Sequence, residues 1–157
     1  MIIRPYTTID KQECMNAFCS NVPEFFTESE VNDFDTFLDT FHTKGTVNKT
    51  YYFVLELDSK IIACGGFGDR YGDDVITLAW GLVHKDFHKK DFGKHLLKYR
   101  LDQIKLIYPG RPIYIDTTQF SMGFFGKYGF NTIKLSENFY APGMHRYDMV
   151  YNENTHS

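Results

Sequence analysis

Apolar and polar residues recur along this chain with two different periods, which predict a mixture of strands and helices. Runs rich in β-branched and aromatic residues predict strands at 1–6, 51–57, 60–68, 75–83, 113–117, 131–135 and 146–151. Apolar residues at helical spacing predict helices at 10–18, from Thr27 through Phe41, at 93–108 and at about 121–128. This order of elements favours an α/β protein.

Single residues refine these boundaries. Thr27 followed by Glu30 is typical of a capping box at the start of a helix. Gly65 and Gly66 inside a predicted strand indicate a bulge or a close backbone approach. Gly129 is predicted to end the short helix, and we expect a loop around 142–143 to join the last two strands.

Length and composition limit the classes of protein. The 157 residues, without internal repeats, predict one domain over 1–151 and a frayed tail at 152–157. A hydrophobic share of 43% and a charged share of 24% are typical of a globular chain. The net charge of −3 argues against nucleic acid as a partner, because phosphate binding needs a basic surface.

Apolar runs and cysteines indicate the compartment. No apolar run is long enough for a signal peptide or a bilayer-spanning helix, so we expect a cytoplasmic protein without a membrane partner. Cys14, Cys19 and Cys64 form an odd set without CxxC spacing. We interpret all three as reduced core residues, and we expect no metal site.

The stretch 75–97 carries the clearest chemical signal. A buried strand leads into a short loop and then directly into a helix, whose first backbone amides are unpaired and carry positive partial charge. Lys85, Lys89, Lys90 and Lys94 surround that point. The pattern favours phosphate binding at the helix start, and a solvated basic turn is the alternative.

This stretch resembles the signature of the GNAT acetyltransferase superfamily, a strand followed by Q/R-x-x-G-x-G/A and a helix. His88 stands at the Q/R position, Asp91 at the first glycine and Gly93 at the second. We interpret Asp91 as a helix cap. Residues 113–130 are similar to the later motif of the family, a strand, a polar residue, a short helix and then Gly-Phe.

The resemblance implies a fold and an activity. The fold is an α/β (α+β) GNAT fold, with a mixed, mostly antiparallel sheet of about seven strands, flanked by about four helices and splayed to admit CoA. The activity is direct transfer of an acetyl group from acetyl-CoA, the acyl-donor cosubstrate, to a primary amine of a small molecule or peptide. A non-catalytic acyl-CoA sensor of the same fold is the alternative. Homodimers are common in the family, and nothing in these residues requires one.

The resemblance also assigns residues to the cofactor. It places main-chain groups of one strand edge on the pantetheine arm, and a run of residues around the pyrophosphate. Two further positions correspond to residues with known roles in other family members. At one of them many members have a polar residue that touches the cofactor, and at the other a tyrosine that protonates the departing thiolate. These residues are Gly81, Leu82 and Val83; His88, Lys89, Lys90, Asp91, Phe92, Gly93 and Lys94; Thr118 or Gln119; and Phe125.

The catalytic acid and base depart from the family pattern. Phe125 cannot donate a proton, so either another group donates it or the thiolate leaves without help. We expect Tyr140 to be that group, with Tyr128 and Tyr147 as alternatives. The glutamate position of many members lies close to Thr77 here. We expect His145 to act as the base because imidazole titrates near neutrality, with Asp116, Asp148 or an ordinary loop role for His145 as alternatives.

The loop 21–26 should form one wall of the acceptor site, as it does in this fold. Phe25 and Phe26 offer an apolar wall, unless one of them staples the next helix. Glu24 is suited to a cationic amine, and Trp80 and Tyr114 are expected to add aromatic surface. A small amine, a peptide N-terminus and a lysine side chain all fit this description.

Overall fold

The computed structural model describes residues 1–41, 46–47 and 49–152. Within these ranges the chain forms eight strands and four α-helices. The strands are β1 Ile2–Pro5, β2 Thr46–Val47, β3 Thr50–Leu57, β4 Lys60–Gly68, β5 Ile76–Val83, β6 Ile113–Thr117, β7 Phe130–Ala141 and β8 Met144–Tyr151. The helices are α1 Lys11–Cys19, α2 Glu28–Leu38, α3 Phe92–Ile107 and α4 Met122–Lys127.

Seven of the described strands form one sheet in the order β1-β3-β4-β5-β6-β8-β7, and the two-residue β2 pairs with β3. Every pairing is antiparallel except that between β5 and β6. This mixed, mostly antiparallel sheet with four helices confirms the predicted fold class.

The parallel strands β5 and β6 diverge. Their register joins only Ile76 with Ile113 and Thr77 with Tyr114 in the described chain. Beyond Thr77 the two strands separate, and residues 78–83 border an open cleft. The sheet is therefore splayed at its centre, as the resemblance implies.

A bulge in β5 sets the shape of that cleft. Cys64 pairs with Leu82 while Gly66 pairs with Ala79, so β5 carries one residue more than β4 between these pairs. Trp80 sits in the bulge with a left-handed φ of +46°, and the Tyr52 hydroxyl donates to its carbonyl oxygen at 2.7 Å. A Cβ on Gly66 would overlap the Tyr51 carbonyl oxygen, which confirms the predicted close approach.

The two larger apolar clusters lie on opposite faces of the sheet. Helices α1 and α2 bury an aromatic cluster that includes Phe18, Phe34 and Tyr52. Helices α3 and α4 cover the opposite face, where Leu97 and Phe125 are buried. Because each sheet face is covered by helices, β4 is buried along nearly its whole length.

The cysteine prediction holds for two residues of three. Cys14 and Cys64 are buried, whereas Cys19 is exposed. The buried stripe of α1 runs through Cys14, Ala17 and Phe18, and Cys19 falls outside this helical spacing. The prediction that Cys19 is a core residue is therefore wrong.

Local signals around the helices are confirmed. The Glu30 carboxylate accepts from the Thr27 backbone amide at 3.0 Å, which completes the capping box at α2. Gly129 has a φ of +100° just after α4. No helix in the described ranges has the length and apolar character needed to cross a bilayer.

The terminal hairpin is longer than predicted. Strand β7 continues to Ala141 and β8 begins at Met144, so most of the predicted loop is strand. Strand β7 lies at the edge of the sheet, and its polar exposed residues conceal the strand pattern. The predicted frayed tail beyond Asn152 lies outside the described residues, as do 42–45 and 48.

A charged cluster joins β1 to the start of α1. Arg4 donates to both carboxylate oxygens of Asp10 at 2.8 and 2.9 Å, and the Thr7 backbone amide donates to one of them at 2.8 Å. Burial raises the Asp10 pKa, but the hydrogen bonds from Arg4 and Thr7 outweigh this effect and hold the pKa below its usual value.

We predict that Asp10→Asn lowers the free energy of unfolding by about 1.5–3 kcal/mol at neutral pH, because a charge-assisted bond network is lost. The Asp10 pKa is lower in the folded protein than in the unfolded chain, where it is about 4. The stabilisation is therefore complete above that pH and is lost as the pH falls through the Asp10 pKa of the folded protein. Urea denaturation of both proteins across this pH range measures the difference.

The control is Asp39→Asn, which removes one carboxylate from the surface pair with Lys11. Asp39 is 62% exposed, so this variant should lose much less stability than Asp10→Asn. Equal losses in the two variants, or a loss in Asp10→Asn that persists in acid, would contradict the account.

Candidate active site

A cavity of about 760 Å³ opens where β5 and β6 separate. Its walls come from β5, the start of α3, the end of β6, helix α4 and the loop between α1 and α2. The cavity therefore occupies the splay at the centre of the sheet, between main-chain groups of β5 on one side and side chains of β6 on the other.

The turn before α3 lies at the rim of this cavity. Lys89 and Asp91 both have left-handed backbones, with φ of +61° and +67°. Asp91 occupies the N-cap position, but its side chain makes no capping hydrogen bond with any described residue. The interpretation of Asp91 as a side-chain cap is therefore wrong, and its backbone instead adopts the conformation that favours glycine, which aspartate tolerates.

Three lysine side chains give the cavity rim positive charge. Lys89 and Lys94 lie at the turn and in the first turn of α3, and Lys127 lies at the end of α4. The first amides of α3 add the positive end of a sixteen-residue helix. This rim is suited to an anionic group with several oxygens, such as a diphosphate.

The edge of β5 is partly occupied by protein groups. Gly81, Leu82 and Val83 all border the cavity. Asn21 donates from Nδ2 to the Val83 carbonyl oxygen at 3.0 Å, and Nε2 of His88 lies 2.9 Å from the same oxygen. The Val83 carbonyl is therefore bound by Asn21 and His88 in this structure.

A tyrosine–aspartate pair lines the β6 side. The Tyr140 hydroxyl donates to Asp116 Oδ1 at 2.7 Å, and both residues border the cavity. Burial and then the charge of Asp116 raise the Tyr140 pKa, so the phenol keeps its proton. Nη2 of Arg146 lies 3.7 Å from the second oxygen of Asp116.

The match to a protein family decides the class. The family model of the acetyltransferase (GNAT) domain matches residues 22–153, most of the chain. The chain belongs to the GNAT acetyltransferase family. It is therefore an acyltransferase by family, as the sequence predicts.

Solved structures with the same fold resemble the chain over nearly its whole length. A putative GNAT acetyltransferase from Desulfovibrio desulfuricans has a TM-score of 0.74 and 16% identity, covering 97% of this chain and 99% of its own. An aminoglycoside 6'-N-acetyltransferase complexed with coenzyme A has a TM-score of 0.73 and 14% identity, with 96% of each chain covered.

The Escherichia coli ribosomal-protein-S18-alanine N-acetyltransferase has a TM-score of 0.69 and 15% identity, covering 96% of this chain and 93% of its own. Comparison with curated proteins gives no significant match. At these identities the solved structures show the fold of this GNAT protein and do not identify its substrate.

Most of the residues predicted to bind the cofactor meet in this GNAT cavity. They come from β5, from the turn before α3 and from α4. Those that line it are Gly81, Leu82, Val83, His88, Lys89, Asp91, Phe92, Gly93, Lys94, Thr118 and Phe125. Lys90 lies outside the lining, with its ammonium 5.7 Å from the centre of the Phe87 ring.

Two predicted site residues lie at the β7–β8 hairpin, outside the cavity lining. Gln119 donates from Nε2 to the Gly143 carbonyl at 2.6 Å, and its Oε1 accepts from the His145 backbone amide at 2.9 Å. Nδ1 of His145 accepts from the Asn138 backbone amide at 2.9 Å. In this position both side chains hold the hairpin turn.

The predicted acceptor residues divide in the same way. Phe25, Phe26 and Trp80 line the cavity. Glu24 lies outside the lining and forms an ion pair with Lys85 at 2.7 Å. Tyr114 is also outside, because it lies where β6 is still paired with both β5 and β8.

Several residues that line the cavity are not predicted from the sequence. Glu30 and Arg146 add charge to the cavity lining, and Phe120 contacts Phe25 with ring centres 5.5 Å apart. Arg100 reaches the cavity from α3 although only 3% of its surface is exposed. The signal for Arg100 is its place among Leu97, Leu101 and Ile104, on the buried stripe of α3.

We predict that Gln119→Ala loosens the hairpin, because it removes a pair of hydrogen bonds worth about 1 kcal/mol each. Amide exchange at His145 should become faster in this variant, while the affinity for CoA should stay within about twofold. Hydrogen exchange by NMR and CoA titration measure the two effects. A large loss of CoA affinity with unchanged exchange would instead place Gln119 against the cofactor.

Proposed function

We propose that this protein transfers an acetyl group from acetyl-CoA directly to a primary amine of a small molecule or peptide. The strongest support is that one cavity contains both the basic start of α3 and the carboxylate of Asp116, which accepts a hydrogen bond from Tyr140. Acetyl-CoA supplies an activated thioester when it is bound. The residues of the chain then bind, orient and move protons.

The donor end fits a CoA pyrophosphate and its arm. Lys89, Lys94 and Lys127 offer positive charge, and the α3 amides offer donors. Gly93 adds no side chain at the start of α3, where a Cβ would make only an ordinary contact with Phe124, at 3.5 Å. The exposed main chain at Gly81 leaves room for an extended arm beside β5.

The acceptor end fits a cationic amine. Asp116 and Glu30 line it, and the Glu30 carboxylate is committed to the α2 capping box. An amine near pKa ~10 arrives protonated at neutral pH, so Asp116 is suited to attract the ammonium. The neutral amine is the form that attacks, and Asp116 is suited to accept the proton that the nitrogen sheds once it has bonded to the acyl carbon. Tyr140 fixes the orientation of Asp116 through its 2.7 Å hydrogen bond.

This assignment differs from the roles expected for Tyr140 and His145. The Tyr140 hydroxyl donates its hydrogen bond to Asp116, and Nδ1 of His145 accepts a hydrogen bond from the Asn138 backbone amide in the hairpin. We therefore propose Asp116 as the base and Tyr140 as a positioning residue. Aromatic walls from Phe25, Phe26 and Trp80 would hold the acceptor close to the thioester, which supplies much of the rate.

We predict that Asp116→Asn lowers kcat/KM for the amine by about 10²–10⁴-fold, because a neutral amide cannot accept the proton. The affinity for acetyl-CoA should stay the same. Release of free CoA thiol across a panel of diamines, amino acids and short peptides measures the rate, and calorimetry measures the affinity.

The matched control is Asp148→Asn, since Asp148 also pairs with Arg146 but does not line the cavity. That variant should lose less than about tenfold, a general-base contribution being larger. Turnover in Asp116→Asn equal to that of the natural protein would overturn the base assignment. Acetyl-CoA binding without thiol release for any amine would support the sensor function instead.

A further inference from the structure

Arg100 is a buried cation that forms no ion pair with a carboxylate of the described residues. Its side chain lies on the apolar stripe of α3 and is 3% exposed. It donates one hydrogen bond, from Nη1 to the Gly66 carbonyl oxygen at 3.3 Å. Among the described residues Nε has no hydrogen-bond partner, and no carboxylate forms an ion pair with the guanidinium.

Glycines make room for this guanidinium at the β5 bulge. A Cβ on Gly81 would stand 2.7 Å from Nη2, and one on Gly65 would stand 3.2 Å from Cζ. Side chains at these two positions would displace Arg100. The guanidinium therefore lies directly beside the main chain of Gly81, at the place where β5 faces the cavity.

The charge is retained in this position. Burial lowers the Arg100 pKa to about 10, so the side chain stays protonated at neutral pH. Tyr52 and Cys64 are the titratable groups that act on Arg100, and burial raises the Tyr52 pKa well above 10, so the phenol remains neutral. Burying a charge without a partner is unfavourable because the charge loses its hydration. The Arg100 guanidinium would therefore strongly stabilise a group that gains negative charge beside it in the cavity.

The reaction creates such a group. As the amine nitrogen bonds to the acyl carbon, the C–S bond breaks and its electron pair stays on sulfur. Phe125, which lines the same cavity, has no proton to give to that sulfur. We propose that Arg100 binds the departing CoA thiolate and replaces by charge the proton donor that is missing at Phe125. The ammonium gives one proton to solvent before the nitrogen attacks, and the proton that the nitrogen sheds once the C–N bond forms goes to Asp116. The thiolate takes its own proton later from water.

This inference rests on the proposed acetyl transfer, so its test measures the bound thiol and not the rate alone. A cation within about 4–6 Å lowers the pKa of an acid by about 1–3 units. The pKa of the CoA thiol should therefore fall by at least about one unit on binding. Because the thiol pKa is lower in bound CoA than in free CoA, CoA should bind more tightly as pH rises. Its affinity should increase by about tenfold or more as the pH rises from the thiol pKa of bound CoA to that of free CoA.

The experiment compares CoA with desulfo-CoA in calorimetric titrations from about pH 6.5 to 9.5, with the thiolate ultraviolet absorbance as a second readout. Desulfo-CoA lacks the thiol, so it corrects for titration of His88, Asp116, Tyr140 and the cavity lysines. In Arg100→Met the pH-dependent advantage of CoA over desulfo-CoA should disappear. Arg100→Lys should retain part of it, and Lys98→Met, on the exposed side of α3, should retain all of it.

Stability and kinetics separate this role from a structural one. Arg100→Met should melt no lower than the natural protein, because an unpaired buried charge does not stabilise the fold. Its kcat should fall by about 100-fold, a typical cost of losing one charge-stabilising donor, with little change in the KM for acetyl-CoA. A lower melting temperature together with an unchanged thiol pKa would overturn the proposal.

The two proposals fail in different ways. If CoA and desulfo-CoA both fail to bind, the proposed acetyl transfer is wrong. If both bind and the thiol pKa is the same in the natural protein and in Arg100→Met, only the role of Arg100 is wrong.

Discussion

The contact on which the site depends is the short parallel pairing of β5 with β6. Two residue pairs hold the strands together, and beyond Thr77 they separate. The β5 bulge reinforces this separation, since Trp80 adopts a left-handed backbone that the Tyr52 hydroxyl holds in place. A sheet paired along its full length would have no central cavity. The helix start at Asp91 and the carboxylate of Asp116 would then have no common space to face.

The same bulge links packing to chemistry. Gly65 and Gly81 lack side chains where β4 and β5 adjoin, and the guanidinium of Arg100 fills that space. A protein core rarely retains an unpaired cation, because desolvation is expensive. Here the cation borders a cavity in which an acyl thioester would generate negative charge. Burial of the Arg100 charge lowers the stability of the fold. The same buried charge would stabilise the thiolate that leaves during acetyl transfer.

Sequence patterns predict most of the fold but only part of the site. Periodicity and caps determine α2 and β5 locally, so these elements follow from the residues themselves. The side chains of Gln119 and His145 point into the terminal hairpin because of cross-strand partners that no local pattern reveals. Asp91 departs from its prediction for a different reason: it occupies the N-cap position with a left-handed backbone, and its carboxylate makes no capping hydrogen bond. An arginine on an apolar helical stripe was the one visible signal for Arg100.

Hydrogen–deuterium exchange of the protein with and without CoA shows whether the cofactor lies in the splay between β5 and β6. If the splay holds the cofactor, exchange should slow at the backbone amides of 81–83 and 92–94, on the two sides of the cavity opening. The β1–β3 pairing, on the far edge of the sheet, should be unchanged. Protection confined to other segments, with these amides unaffected by saturating CoA, would contradict the account.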